Sequence, residues 1–227
     1  SAGAGALHAQ EVTLKAGTFV PPSTTYGIPF RIYADHVNET GKGLVHIRIV
    51  GGPEAIPATE QANAVMAGVL DIAVLPPSCC TGQFVEADAQ PLTDMTVIEQ
   101  RESGAIAALS EMATEAMGAF YLTSYGADVP FHFFLTEEIS SLEDLRGMRL
   151  RGQTTCKLIF DKLGVDGSAI PAPDIHTALE RGAVQGYGWA PWGIGDFGWD
   201  KLTRTRVDPG FYNVIINALM NQAKFDS

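Results

Sequence analysis

The 227-residue chain has no window approaching eighteen uninterrupted apolar residues, so no part of it is built to cross a bilayer as a helix. Cysteine is scarce, with only Cys79, Cys80 and Cys156. Two of them are adjacent, zinc-type spacings are missing, and no second pair exists to complete a metal cage. A disulfide to Cys156 would require the fold to bring the Cα atoms within about 7 Å. Small apolar filling is the simpler use of all three. Basic residues are also few, 15 against 26 acidic ones, for a net charge of −11. That balance argues against a nucleic-acid partner, because phosphates would be repelled.

Signatures of catalysis are missing as well. No GxSxG, HExxH or P-loop pattern occurs. A GxGxxG does occur at Gly193, Gly195 and Gly198, but it follows "WAPW" and no acid stands about twenty residues on to hold a ribose. Those glycines read as turn formers in a loop carrying Trp192, Phe197 and Trp199. The histidines, His8, His36, His46, His132 and His176, form no nucleophile–base–orienter set. His132, inside "PFHFFL", is the most interesting of them. Asn38-Glu39-Thr40 is formally a glycosylation sequon. The residues point to no enzyme, no metal and no cofactor.

What remains is a globular composition, 46% hydrophobic and 18% charged, long enough for a sizeable core. The opening residues, with Ala4-Gly5-Ala6, resemble the end of a signal peptide near its cleavage site. They read equally as a flexible tail. From Val12 onward strands and helices alternate. "EVTLKAG" and "LVHIRIV" have strand patterns, and "YGIPFRIYADHVNE" has helical spacing. "PATEQANAVMAG" reads as a helix opened by Thr59 and stopped by Gly68, and "VLDIAVLPP" as a buried strand. "VIEQRESGAIAALSEMATEAMG" reads as one long helix, followed by the strand "AFYLTSYG".

A second unit begins near Pro130. It reads as the strands "FHFFLTEE", "MRLRG", "GSAIPA" and "AVQGYGWA", with helices at "TTCKLIFDKLG" and "PDIHTALERG". The closing "RVDPGFYNVIINALMN" reads as a strand and then the start of a helix. The expected class is α/β, with two lobes around a cleft and the ligand beyond the carboxyl ends of strands. Arg151, Pro76, Pro77 and the "GYGWAPWG" run all fall at such ends.

Within this acidic chain, "DLRGMRLRG" gathers three of the nine arginines into six residues. Arg149 and Arg151 share one face of a short strand. Either Arg151 meets a ligand, or it pairs with a protein acid such as Glu143 or Asp144. The run also carries a resemblance. "LEDLRGMRLRG" is similar to the Leu-x-Asp-Leu-x-Gly-Met-Arg/Lys-x-Arg pattern of solute-binding proteins of tripartite ATP-independent periplasmic (TRAP) transporters. "PDIHTALERGAVQG" is similar to that family's helix-Gly-x-Val-Asp-Gly signature, with Gln185 in place of the usual Asp. "EQANAVMAGVLDIAVLPPS" and "KAGTFVPPST" resemble its upstream segments. The likeness runs from about Val12 to the end of the chain and rests on the ordered set rather than on any one motif.

The resemblance implies a two-lobed periplasmic binding protein, each lobe a mixed sheet flanked by helices. Lobe I would comprise residues 1–128 plus 217–227 and lobe II residues 129–216. The family's C-terminal helices are then expected to be missing after 227. The implied function is capture of an organic acid by hinge closure and delivery to the membrane permease subunits, with no direct membrane insertion. A sensor for a signalling partner, or a carboxylate-processing enzyme, are the rival readings. Arg151 takes the family position that binds the substrate carboxylate. Phe131, beside His132, stands where some relatives carry another arginine. Trp189 replaces a polar residue of several relatives, and Phe19 holds the first-loop position. With Trp192 and Pro76, these residues are the expected pocket wall. Their aromatic character suggests a monocarboxylate with an apolar or aromatic body.

Overall fold

The computed structural model describes residues 11–227. The signal-peptide-like opening and His8 lie outside the described residues. The chain builds two five-stranded mixed sheets. In the first, β1 (Val12–Thr18) leads through α1 (Ile28–Thr40) to β2 (Val45–Gly51), then through α2 (Gln61–Met66) to β3 (Ile72–Leu75). Next come α3 (Val97–Glu102), α4 (Ala105–Met117) and β4 (Ala119–Tyr125). The second sheet holds β5 (His132–Leu135), β6 (Arg149–Arg151), α5 (Lys157–Leu163), β7 (Asp166–Ser168), α6 (Ile175–Glu180), β8 (Gly186–Trp189) and β9 (Thr205–Val207). The chain then returns to the first sheet as β10 (Ile216–Asn221) and ends in α7 (Gln222–Phe225).

Strand order is β2-β1-β3-β10-β4 in one sheet and β7-β6-β8-β5-β9 in the other. Burial follows from these places. β3 lies between β1 and β10, and all four of its residues are buried. The edge strand β2 buries only Ile47, as its alternating sequence requires. In β8 the alternation Gly-Tyr-Gly-Trp separates two faces. A Cβ at Gly186 would collide with the Phe134 carbonyl oxygen, so that position must stay bare. On the other face Tyr187 stacks on Phe134, centroids 5.4 Å apart, while Trp189 meets Trp199 edge-on at 5.1 Å.

Several expected elements differ. Thr59 caps nothing: Ala58–Glu60 is a 3-10 turn without a side-chain cap, and α2 starts at Gln61. The single long helix is two, because Gly104 adopts φ +84, a left-handed conformation that an α-helix does not contain. Thr96 starts the first of them with a capping box to Glu99. The strand expected at "GSAIPA" sits earlier, at Asp166–Ser168, where it pairs with β6. "INALMN" is a buried strand rather than the start of a helix, held antiparallel between β3 and β4. Its Asn217 is satisfied by side chains: Ser124 Oγ donates to its Oδ1 (2.7 Å) and its Nδ2 donates to Gln90 Oε1 (2.9 Å).

The two segments that cross between the sheets pair with each other. Phe131 N–H donates to the Tyr212 carbonyl (2.7 Å), Phe211 N–H to the Phe131 carbonyl (3.0 Å) and Val214 N–H to the Val129 carbonyl (2.9 Å). This narrow ribbon is where the chain passes between the two sheets.

Candidate functional site

Carboxyl ends of parallel strands from both sheets line one cleft. Phe19 follows β1, Pro76 follows β3, Arg151 closes β6 and Trp189 closes β8. β5 and β10 run antiparallel to these strands, so their amino ends, Phe131 and Ile216, reach the same place. The cleft has two chambers. The outer one, about 370 Å³, is lined largely by Pro53, Pro57, Pro171, Pro173, Ile170 and the Arg151–Gln153 segment. The inner one, about 20 Å³, has room for roughly one water. Phe19, Pro76, Ser78, Gln153 and Trp189 border both chambers.

Arg151 is the only basic residue lining the outer chamber and Asp174, exposed, the only acidic one. The Arg151 side chain belongs to a residue that is only 6% exposed. Its Nε donates to the Ile170 carbonyl (2.8 Å) and its Nη1 to the Gly188 carbonyl (3.3 Å). Its guanidinium carbon lies 5.3 Å from the centre of the Trp189 ring, a cation–π arrangement. Among the described residues no carboxylate reaches ion-pair distance of it.

Nothing else nearby neutralises the charge. Burial pushes the Cys79 thiol up to about 11, against a smaller downward pull from Arg151. Burial likewise raises Cys156 and lifts Tyr212 well above its ordinary value. All three stay protonated near neutrality, and burial depresses Arg151 itself. A buried guanidinium with spare donors and no anion has the chemistry to receive one.

Gln153, two residues on, has extended backbone (φ −87, ψ 171) and lines both chambers. Its Oε1 accepts from Tyr212 Oη (3.1 Å) and, at 3.4 Å, from Ser78 Oγ. Thr155 Oγ1 in turn donates to Tyr212 Oη (3.4 Å). Tyr212 belongs to the crossing ribbon and stacks on Phe131, centroids 4.4 Å apart. A second link across the cleft joins Thr25, before α1, to Asp196, after β8. Thr25 N–H donates to Asp196 Oδ2 (2.6 Å) and Thr25 Oγ1 to Oδ1 (3.1 Å).

Of the residues named from sequence, Arg151, Phe19, Phe131, Pro76 and Trp189 line the two chambers. His132 and Trp192 line neither. His132 Nδ1 sits 3.0 Å from the Val207 carbonyl and 3.0 Å from Asp208 Oδ1, turned toward β9. Trp192 packs behind the wall on Tyr26, centroids 5.0 Å apart, and Tyr26 in turn faces Trp189. All three cysteines are free; Cys80 and Cys156 are buried, whereas Cys79 is half-buried and borders the outer chamber. Gln153 and Tyr212 were not anticipated. The period-two spacing from Arg151 could have revealed the first. The second lies too far along the chain to leave a local signal. Among the described residues no His, Cys, Asp and Glu group is placed to hold a metal, and no helix is long and apolar enough to cross a membrane.

Known proteins share this fold. The family model described as "Bacterial extracellular solute-binding protein, family 7" matches residues 16–227. The monocarboxylate 2-oxoacid-binding periplasmic protein of Nostoc sp. strain PCC 7120 is 24% identical over 204 residues, 86% of this chain and 53% of that protein. The chain therefore spans about half the length of that curated relative. The Bordetella pertussis extracytoplasmic solute receptor DctP6, which binds pyroglutamic acid, superposes with TM-score 0.82 at 16% identity, over 95% of this chain and 73% of its own. A marine-metagenome TRAP solute-binding protein specific for aromatic acids, crystallised with 3-hydroxybenzoate, gives TM-score 0.79 at 22% identity, over 96% and 71%.

Proposed function

The chain belongs to family 7 of the bacterial extracellular solute-binding proteins, the TRAP solute receptors, and from that premise we propose that it captures a small organic monocarboxylate with an apolar or aromatic body. The carboxylate docks on Arg151, and the cleft closes by bending of the 129–131/211–214 ribbon. We take residues 1–128 and 217–227 as lobe I and residues 129–216 as lobe II. The loaded protein hands its ligand to the membrane permease subunits from the periplasmic side and performs no chemistry on it. One observation carries the reading: Arg151 is a buried cation, with donors left over, to which the described residues offer no anion. Burying a charge without a partner costs several kcal/mol, and a ligand carboxylate would recover it. The apolar walls and a volume near the lower end of small-molecule sites support a compact hydrophobic acid. Relatives whose names record a 2-oxoacid, pyroglutamic acid and 3-hydroxybenzoate agree with the class.

A thermal-shift screen of aliphatic and aromatic monocarboxylates, followed by native mass spectrometry, tests it. Specific stabilisation by one or a few acids, with a 1:1 adduct of unchanged ligand mass, is the expected result. Stabilisation by amines or sugars alone would refute the carboxylate reading, and turnover of the bound acid would refute the non-catalytic one.

A further inference from the structure

Resting on the carboxylate reading above, we infer that Gln153 is a specificity-determining donor that selects acids carrying a neutral hydrogen-bond acceptor beside the carboxylate, such as a 2-oxo group. Three observations carry this. First, the amide has a defined orientation. Tyr212 Oη and Ser78 Oγ both approach Oε1, so its acceptor side is occupied. Tyr212 Oη accepts from Thr155 Oγ1 (3.4 Å), which leaves its own proton to donate to the nearer Oε1 (3.1 Å). The Nε2 protons therefore remain, and they have no protein acceptor among the described residues.

Second, Gln153 follows Arg151 at an i, i+2 step in extended chain, which puts both side chains on one face with Cα atoms roughly 6.5–7 Å apart. Both line the same chamber. Donors so placed converge on atoms within one or two bonds of each other. Third, the partner at Gln153 is uncharged. A dicarboxylate would call for a second cation, and Arg151 is the only basic residue of the lining. An amide N–H matches a ketone, hydroxyl or ether oxygen instead. Tyr212 is a positioning residue: it bonds the amide, lines the inner chamber but not the outer one that holds Arg151, and ties that amide to the 129–131/211–214 ribbon.

The test is calorimetry with two matched pairs, phenylpyruvate against 3-phenylpropanoate and 4-methyl-2-oxopentanoate against 4-methylpentanoate. The wild type should bind the oxo member of a pair about tenfold tighter, the usual worth of one extra hydrogen bond in a partly enclosed site. Gln153→Leu should bind both members equally, at the wild-type affinity for the deoxy acid. Tyr212→Phe keeps the ring that stacks on Phe131 but frees the amide to turn, and should show a reduced preference. Equal wild-type affinity within the pairs, or a preference that survives in Gln153→Leu, overturns the inference. A folded wild type that binds none of the four acids and no other carboxylate of the thermal-shift screen removes the carboxylate reading itself, a different failure.

Discussion

Replacing Arg151 with methionine should severely weaken ligand capture while changing the stability of the protein itself by little, and the magnitudes follow from its surroundings. The guanidinium is buried, has no carboxylate within ion-pair distance among the described residues, and uses two of its donors on the Ile170 and Gly188 carbonyls. Desolvating such a charge costs several kcal/mol. Two charge-assisted hydrogen bonds return about 1.5–3 kcal/mol each. Methionine removes both terms, has a similar reach, and brings a sulfur to the Trp189 face, a favourable contact. Because methionine also leaves the Ile170 and Gly188 carbonyls without those donors, the net change for the protein itself lies within about 2 kcal/mol of zero in either direction. An ordinary buried large-to-small substitution would instead cost about 2–5 kcal/mol.

Ligand binding responds in the opposite sense. A cognate acid at 100 times its Kd adds about 2.7 kcal/mol to the wild type. For a chain of this length that raises Tm by about 5–11 °C. Truncating one partner of a buried charge pair costs about 2–5 kcal/mol. At the same ligand concentration the variant's shift should then fall to about 3 °C or less. Differential scanning fluorimetry reads both quantities in one experiment. An empty variant melting about 8 °C or more below wild type would show that Arg151 is a structural strut. A ligand-induced shift equal to wild type would show that the acid docks elsewhere. Either result refutes the reasoning.

Two other outcomes are expected. Asp196→Ala removes both hydrogen bonds to Thr25 across the cleft, so ligand dissociation in stopped-flow should accelerate about threefold to tenfold with association unchanged; an unaltered dissociation rate would show that this contact does not hold the cleft shut. Burial raises Cys79 from its ordinary 9.0 to about 11 and Tyr187 from 10.0 to about 12 in the folded protein. The unfolded chain thus loses these protons first, so stability is complete below about pH 9 and declines as pH rises through 9–12; a urea midpoint as high at pH 10.5 as at pH 8 would contradict that sign.

The alternation of strands and helices was legible because burial on one or two faces leaves a period in the sequence. β2 and β8 show this in their own residues. The break between α3 and α4 was not, because Ala105–Met117 is helical in pattern on one side and Val97–Glu102 on the other. Only the left-handed Gly104 separates them, and a glycine inside a helical pattern is compatible with either outcome. "INALMN" failed differently. It is a central strand buried on both faces, with Asn217 as well as its apolar residues inside, so it shows neither the alternation of a half-buried strand nor the spacing of a surface helix. In the site, strand-end residues such as Phe19, Pro76 and Trp189 were reachable from the rule that ligands sit beyond carboxyl ends. His132 was drawn in by its neighbour Phe131, yet adjacent residues of a strand face opposite ways. Its ring is engaged with Val207 and Asp208 instead.

The three arginines of "DLRGMRLRG" show what local sequence can and cannot decide. Arg146, before the strand, is exposed and lies over Gly164. Arg149 is exposed and donates from Nη2 to the Gly182 carbonyl (2.8 Å), tying β6 to the turn after α6. Arg151 alone reaches the cleft. The sequence could not exclude Glu143 or Asp144 as its partner, since both lie within eight positions. The fold excludes them by using Asp144 elsewhere: its Oδ2 accepts from the Ser140 and Ser141 N–H groups (2.8 and 3.0 Å), starting the 3-10 turn that precedes β6. Glu143 is exposed on that same turn. The acidic residues that would have neutralised Arg151 are thus held away from it, and the short strand carries its charge from an acidic surface into an apolar cleft. The role proposed for Arg151 requires that the protein's own anions stay out of the cleft, and the two backbone hydrogen bonds that Asp144 accepts hold that carboxylate on the turn before β6.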